Sequence, residues 1–305
     1  MLVNLKSVLA KAEKGGYAVP AFNVNNLEII QAVMAAAVEA KSPIILQTSE
    51  GAIEYAGMAN LRALVLLAAE ANVPVVFHLD HGKNLDTIKK AISSGYTSVM
   101  YDGSLLNLKE NIKNTKQVVA WANKKNVSVE AELGAIKGVE DFVSVAEKQV
   151  FFTDPKQAAE FVKSTGIDAL AVSIGTAHGA HKFKGEAVLD IERLKEIRRL
   201  TKKSIVLHGA SGVLTDIVEA ANRFGANLSH TKGVPDSEIK KAIENGVRKI
   251  NIDTDIRLAF TAGVRQALAE QRSEFDPRKI LVPATSLMKD VAMRKMELFG
   301  SKGKA

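Results

Sequence analysis

Eight parallel strands, each followed by a helix and closed into a barrel, is the α/β architecture that the sequence predicts. Three observations predict it. Short apolar runs rich in β-branched residues alternate with helix-period segments. The alternation recurs eight times, as a parallel sheet with helical crossovers requires. No linker, repeat or low-complexity tract interrupts it, so residues 1–305 read as one domain. The expected strands are Ala18–Val24, Pro43–Ser49, Val73–Asp80, Ser98–Gly103, Val127–Gly134, Ala169–Gly175, Ser204–Ser211 and Arg248–Asp255. Amphipathic stretches between them include Leu27–Ala40, Leu61–Ala71, Leu85–Ser94 and Leu108–Lys125. An open doubly wound sheet is the alternative, but no GxGxxG follows the first strand. The fold expected is a TIM barrel, with an extra C-terminal helix near Ala284–Phe299.

Two connections are long, Ala135–Phe152 after the fifth strand and Thr176 to Leu189 after the sixth. Loops of this length in a compact chain are often functional. Both leave the C-terminal ends of strands, the barrel face that carries active sites. Ala226–Val234 is expected as a third mobile stretch.

Composition narrows the chemistry. With no Cys, any transition metal must be held by His, Asp or Glu, and a thiol nucleophile is excluded. The net charge of +7 could draw in anionic small molecules such as sugar phosphates, or could equally be background. No block of like charge and no aromatic–basic interleaving points to nucleic acid. The opening MLVNLKSVLAKAEKGG is too charged for a signal peptide, and no run approaches 18 apolar residues. Neither membrane nor nucleic acid is an expected partner, and the cytoplasm is the expected location.

Three of the six histidines stand at or just past predicted strand ends: His81 after the third, His178 after the sixth and His208 late in the seventh. Strand ends of a barrel ring one mouth, so these imidazoles can converge. Three imidazoles with an open position form the ligand set of a catalytic zinc. A histidine taken alone is more often structural. His78 could orient its neighbours, and His181 and His230 read as loop or surface residues.

Carboxylates accompany them. Asp80 precedes His81 in HLDHG. It could transfer protons or hold an imidazole tautomer, and the residues alone leave both readings open. Asp102 ends the fourth strand, and Glu130 and Glu132 share one side of the fifth. Acids in so apolar a strand need a cation or a basic partner. Glu140 and Asp141 lie in the long loop; an acid there can be a mobile general base, but the residues alone favour a solvated loop charge.

A phosphate cradle is legible too. His208-Gly-Ala-Ser-Gly212 follows strand seven, and Asn251-Ile-Asp-Thr-Asp255 ends strand eight before a helix. Barrels often bind phosphate there. Gly209, Ser211, Gly212 and Thr254 offer N–H groups or hydroxyls, and Gly179 is similarly placed. An imine-forming mechanism needs a lysine inside the barrel. The sixth strand has none, and Lys249 opens the eighth, away from the expected mouth.

The runs AFNVNN (Ala21–Asn26), SEGA (Ser49–Ala52), HLDHG (His78–Gly82), GYTSVM (Gly95–Met100), VSVEAELG (Val127–Gly134), IGTAHGAHKFKG (Ile174–Gly185), VLHGASG (Val206–Gly212), KINIDTDIR (Lys249–Arg257) and EFDPRK (Glu274–Lys279) span the chain. Through them it resembles the class II, zinc-dependent fructose-1,6-bisphosphate aldolases of the shorter bacterial type. The resemblance implies reversible aldol cleavage to dihydroxyacetone phosphate and glyceraldehyde 3-phosphate through a zinc-stabilised enediolate, in glycolysis and gluconeogenesis.

The resemblance also implies roles. His81, His178 and His208 would bind Zn2+. Asp80 would be the acid–base group at the C4 oxygen, and Glu140 would exchange the proton of the triose phosphate carbon. Asp102 and Glu132 would serve a second divalent position or support the first. Gly179, Lys182, Gly209, Ser211, Asn251, Asp253 and Thr254 would hold the C1 phosphate and nearby hydroxyls, with Na+ or K+ close by. Asn23 and Ser49 would position the substrate. Arg278 would reach the distal phosphate across the interface of a homodimer or homotetramer. The chain departs from common family residues at Ala135, Lys137 and Ala177. The rivals are a tagatose-1,6-bisphosphate aldolase, a metal-dependent hydrolase on a similar barrel and a non-enzymatic binding protein.

Overall fold

The computed structural model describes residues 1–134, 138–140, 143–145, 152–177, 187–228 and 232–305. Among them the strands are β1 (Val19–Asn23), β2 (Ile44–Thr48), β3 (Val75–Gly82), β4 (Ser98–Tyr101), β5 (Ser128–Leu133), β6 (Gly138–Glu140), β7 (Val143–Val145), β8 (Ala169–Val172), β9 (Ser204–Leu207) and β10 (Val247–Ile252). The helices up to β8 are α1 (Leu5–Gly15), α2 (Leu27–Ala40), α3 (Glu50–Ala56), α4 (Met58–Ala68), α5 (Leu85–Ser93), α6 (Leu108–Asn123) and α7 (Pro155–Thr165). Beyond it lie α8 (Ile191–Thr201), α9 (Thr215–Arg223), α10 (Asp236–Glu244), α11 (Thr254–Glu270), α12 (Pro277–Ile280) and α13 (Val282–Leu298).

Strands β1, β2, β3, β4, β5, β8, β9 and β10 close in sequence order into a parallel barrel, β10 pairing back on β1. The expected (β/α)8 architecture and the extra C-terminal helix, α13, are thus both present. The strands are buried and largely apolar toward the helices because they are covered on both sides, by the barrel interior and by the helical ring. Local signals set the helices. Asn26 caps α2 by accepting from the Ile29 N–H at 3.0 Å, and Asn107 caps α6 through Glu110.

Two elements lie outside the simple alternation. Helix α1 precedes the barrel and buries Leu5, Val8, Leu9 and Ala12 against Val19, Ala21, Ile45, Val76 and Ala169 of the inner strand faces. Its Lys6 N–H bonds Ser128, the first residue of β5, so α1 closes the N-terminal end. Strands β6 and β7 form an antiparallel hairpin within the connection expected as a plain loop.

Several strands end sooner than their apolar runs suggest. β4 stops at Tyr101, β8 at Val172 and β9 at Leu207. Asp102 and His208 therefore stand on the turns that leave the barrel, not within its ladders. β3 behaves differently. Its register with β4 shifts between Leu79 and Gly82, and His81 takes a left-handed φ of 45°. Gly82 fits the shift because a Cβ there would come within 2.7 Å of the Met100 carbonyl oxygen.

At the C-terminus α13 packs on α11 and α2. The approach of α11 and α13 depends on Gly263, where a Cβ would meet the Ala284 Cα and N at 2.3 Å. These are backbone atoms and cannot swing aside. Gly263→Ala should cost about 1–3 kcal/mol through overpacking. Urea unfolding measures it, and an unchanged midpoint would contradict this account of the contact.

Candidate active site

Alternation along a strand would send Asp80 and His81 to opposite faces. The shifted register and the left-handed backbone at His81 undo this, as bulges beside functional sites commonly do. Histidine enters that backbone region more readily than most residues. Both side chains consequently reach the barrel mouth. Ligand atoms of Asp80, His81 and His208 lie within 4.8 Å of one another, as do those of His81, Asp102 and Glu132.

His81 is the hub of the two groups. Its Nε2 faces His208 Nδ1 at 2.8 Å, and its Nδ1 meets Asp102 Oδ2 at 2.9 Å. Asp102 is steadied by the Ser104 N–H and hydroxyl, at 3.1 and 2.7 Å. A carboxylate on the far nitrogen is how metal-binding imidazoles are commonly oriented. Burial opposes protonation of His81, but Asp80, then the bond to Asp102, and then Glu132 outweigh it and hold its pKa well above the usual imidazole value. Glu132 goes the other way: burial first and then Asp102 push its carboxyl well above the usual range. Its buried Oε2 has no hydrogen-bond partner among the described residues and stands 3.9 Å from His81 Nδ1. A pocket that favours a proton on His81 and leaves a carboxylate oxygen unsatisfied is one that suits a dication. The donor set, imidazole and carboxylate, is borderline-hard and could hold a divalent ion.

A second polar layer lies beneath. His208 Nε2 bonds Glu130 Oε1 at 2.8 Å, and Lys249 Nζ bonds Glu130 Oε2 at 2.9 Å, all fully buried. Burial opposes ionisation of Glu130, but Lys249, and then the bond to His208, hold its carboxyl well below the usual range. His78 completes the layer. Its Nδ1 meets the Ser98 hydroxyl at 2.8 Å, and burial followed by the Lys249 charge keeps it neutral. Lys249 thus lies inside the barrel near the start of β10, away from the mouth as expected. Its ammonium is committed to Glu130, one layer below the mouth, which keeps it from imine chemistry.

Asp80 is gripped by amides. Asn23 Nδ2 donates to Oδ2 at 2.9 Å, Gln47 Nε2 to Oδ2 at 3.1 Å and Asn251 Nδ2 to Oδ1 at 3.0 Å. Gln47 also donates to Asn23 Oδ1 at 2.7 Å. Gln47 is not among the residues that the sequence singles out. A buried amide in the apolar run IILQT was the signal, because such a group needs partners inside.

The other expected residues divide. Ser49 caps α3 through the Ala52 N–H, and Ser211, Asn251 and Asp253 are buried at the ends of β2, β9 and β10 or just past them. Gly209 has a φ of 61°, and a Cβ on it would lie 2.7 Å from the Ala177 backbone, so glycine is required twice over. Thr254 opens α11, and Asp253 pairs with Arg257 at 2.8 Å. Arg278 stands apart. It is exposed in α12 and pairs with Asp276 at 2.8 Å rather than with any residue of the mouth. His178, Gly179 and Lys182 lie outside the described residues, as do Ala135, Lys137, Asp141, His181, His230 and the side chain of Glu140.

Comparison with known proteins addresses the same residues from outside. The family model described as "Fructose-bisphosphate aldolase class-II" matches residues 3–304. A fructose-bisphosphate aldolase of Thermus caldophilus is 49% identical over 305 residues, covering 100% of both chains. One of Helicobacter pylori strain J99 is 45% identical over 306 residues, again covering 100% of both. Among solved structures, the YdjI aldolase of Escherichia coli K12 superposes with a TM-score of 0.81 at 33% identity, covering 100% of each chain. A structure titled as a putative fructose-1,6-bisphosphate aldolase of Coccidioides immitis gives 0.80 at 30% identity, covering 99% of this chain and 97% of its own. A barrel whose mouth gathers imidazoles and carboxylates around a place for a dication, matched from end to end by these relatives, belongs to the class II fructose-bisphosphate aldolase family.

Proposed function

We propose that this chain is a metal-dependent carbon–carbon lyase that cleaves and forms fructose 1,6-bisphosphate at the mouth of its barrel. The observation that carries the reading is the convergence of Asp80, His81 and His208, drawn from β3 and the turn after β9, onto one point. The fructose isomer is preferred over tagatose 1,6-bisphosphate on the strength of the family match and the names of the relatives.

The ion we assign is zinc, held by His81 and His208 with His178. Asp102 and Glu132, with His81, are the set for a second divalent position, and Na+ or K+ would accompany the phosphate. Bound zinc would supply Lewis-acid polarisation of the substrate carbonyl and stabilise the negative charge that cleavage leaves there. The remaining work falls to the chain. Asp80 takes the C4 hydroxyl proton in cleavage and returns it in synthesis. The amides of Asn23, Gln47 and Asn251 aim its carboxylate without tying it into an ion pair. Glu140 exchanges the proton at the triose phosphate carbon. Gly209, Ser211, Asp253 and Thr254, with Gly179 and Lys182, hold the C1 phosphate and hydroxyls, and Ser49 positions the other half of the substrate.

Arg278, exposed and directed to Asp276 in its own chain, fits a role in a neighbouring subunit of a homodimer or homotetramer. One barrel domain in the cytoplasm suffices for this chemistry. No helix among the described residues is long and apolar enough to cross a membrane.

A coupled triose-release assay is the direct test. Turnover of fructose 1,6-bisphosphate should exceed that of the tagatose isomer, respond to Na+ or K+ and fall to background with a chelator. His81→Ala should lose both bound metal and turnover; a fully active, chelator-resistant variant would exclude the metal mechanism. Asp80→Ala should lose cleavage while still exchanging the triose phosphate proton, and equal loss of both would refute the division of labour between Asp80 and Glu140. Sedimentation should find a dimer or tetramer under assay conditions. A fully active monomer would rule out the shared role of Arg278.

A further inference from the structure

The turn that follows β9 carries the residues assigned to phosphate, and it is held by groups that do not touch the substrate. Asp255, in the first turn of α11, accepts the Gly212 N–H on Oδ2 at 2.9 Å and the Val213 N–H on Oδ1 at 2.8 Å. From the other side the Gly233 N–H donates to the Gly212 carbonyl at 3.0 Å and the Val234 N–H to the Ser211 carbonyl at 3.3 Å. The peptide planes joining Ser211 to Gly212 and Gly212 to Val213 are therefore each gripped at both ends. Val213 is left with a φ of 50°. A β-branched residue keeps such a backbone only under constraint from its surroundings.

The constraint is anchored far along the chain. Lys295, on α13, places Nζ 2.8 Å from Asp255 Oδ2, with the two side chains 3% and 0% exposed. The ammonium lies so close over the turn that a Cβ on Gly212 would come within 3.1 Å of it. A lysine buried this deeply is rare without a purpose for its charge. Its partner is the carboxylate that grips the two N–H groups.

We infer that Lys295 is a positioning residue for phosphate, acting through Asp255 to hold the Gly209–Val213 turn in its binding shape; the inference rests on the assignment of that turn to phosphate. Without the ammonium at 2.8 Å, the buried carboxylate of Asp255 loses its ion-pair partner, and a buried charge that loses its counter-ion is unfavourable. It can regain solvation only by turning away or admitting water. Either movement releases the Gly212 and Val213 N–H groups and lets Val213 relax, and Ser211 shifts with them. The C-terminal helix thereby enters substrate binding without reaching the mouth.

The test compares wild type with Lys295→Met, reading KM, kcat, inhibition by inorganic phosphate, zinc content and melting temperature. KM and the phosphate inhibition constant should both rise about tenfold, with kcat and zinc content changed far less. Lys295→Arg, which keeps the charge, should restore most of the difference. Met288→Ala is the packing control, since it opens a cavity beneath the same helix two turns from Lys295 and should lower the melting temperature with KM unchanged. If Lys295→Met behaves like that control, the residue serves packing alone and the inference is overturned. Should Lys295→Met not fold, Asp255→Asn keeps the side-chain size while giving up the charge. It should raise the same two constants about tenfold, and unchanged constants there would overturn the inference equally. Ser211→Ala separates the phosphate assignment from the role of Lys295. If it leaves KM and phosphate inhibition unchanged, the phosphate assignment fails. If it raises them while Lys295→Met does not, only the role of Lys295 fails.

Discussion

Asp80 and His81 are neighbours in sequence, and a regular strand would keep them on opposite faces. The register shift of β3 against β4, with the left-handed backbone at His81, turns both toward one point. The rest of the mouth is built around that departure. Asp102 can bond His81 Nδ1 because the ring is turned this way, and the opposite nitrogen is then presented to His208. Gly82 permits the shift by letting β4 approach where a side chain would collide. Non-glycine residues in this backbone region carry a cost on the order of 1–3 kcal/mol, retained where the surroundings over-determine the conformation. Here the surroundings are a closed barrel, which allows no edge to relax.

Charge beneath the mouth is balanced in layers. Glu130, His208, His78 and Lys249 are fully buried, and taken singly each would be a poor interior residue. Together they satisfy one another: Lys249 neutralises Glu130, and Glu130 receives the far nitrogen of His208. That bond selects which nitrogen of His208 faces upward. The upper layer is less complete. Glu132 keeps an oxygen unsatisfied by any described residue, and His81 is driven toward the protonated form by Asp80, Asp102 and Glu132 against the effect of burial. The lower layer is closed on itself, and the upper one could hold a cation. The basic groups follow this division: Lys249 pairs directly with Glu130 in the lower layer, whereas in the upper one Lys83 acts on Asp102 through its charge.

The turn after β9, which we assign to phosphate, is organised differently. Glycines and a short turn supply the surface, while distant elements supply rigidity through Asp255 and the segment around Gly233. The mouth is thus braced from two directions, by a strand irregularity on one side and by helices α11 and α13 on the other.

The linear chain determined the architecture and most of the chemistry. Eight alternations of β-branched runs and helical periods encode a barrel because every strand must be covered on both faces. Helix α2 begins where Asn26 can cap it. His81 and His208, at the ends of two runs, are legible as convergent because a barrel brings strand ends together whatever their separation in sequence; His178, expected to join them, lies outside the described residues. Tertiary structure alone decided how those groups are oriented. The bulge at His81 is marked in HLDHG only by Gly82, which permits the shift without dictating it, since the approach it allows is that of β4. The place of Gln47 and the pairing of Lys249 were not legible because their partners, Asp80 and Glu130, lie on other strands. The plug formed by α1 and the hairpin of β6 and β7 likewise depend on what surrounds them, not on their own residue pattern. Periodicity and residue type are local properties, whereas the direction a side chain takes is settled by contacts between residues distant in sequence.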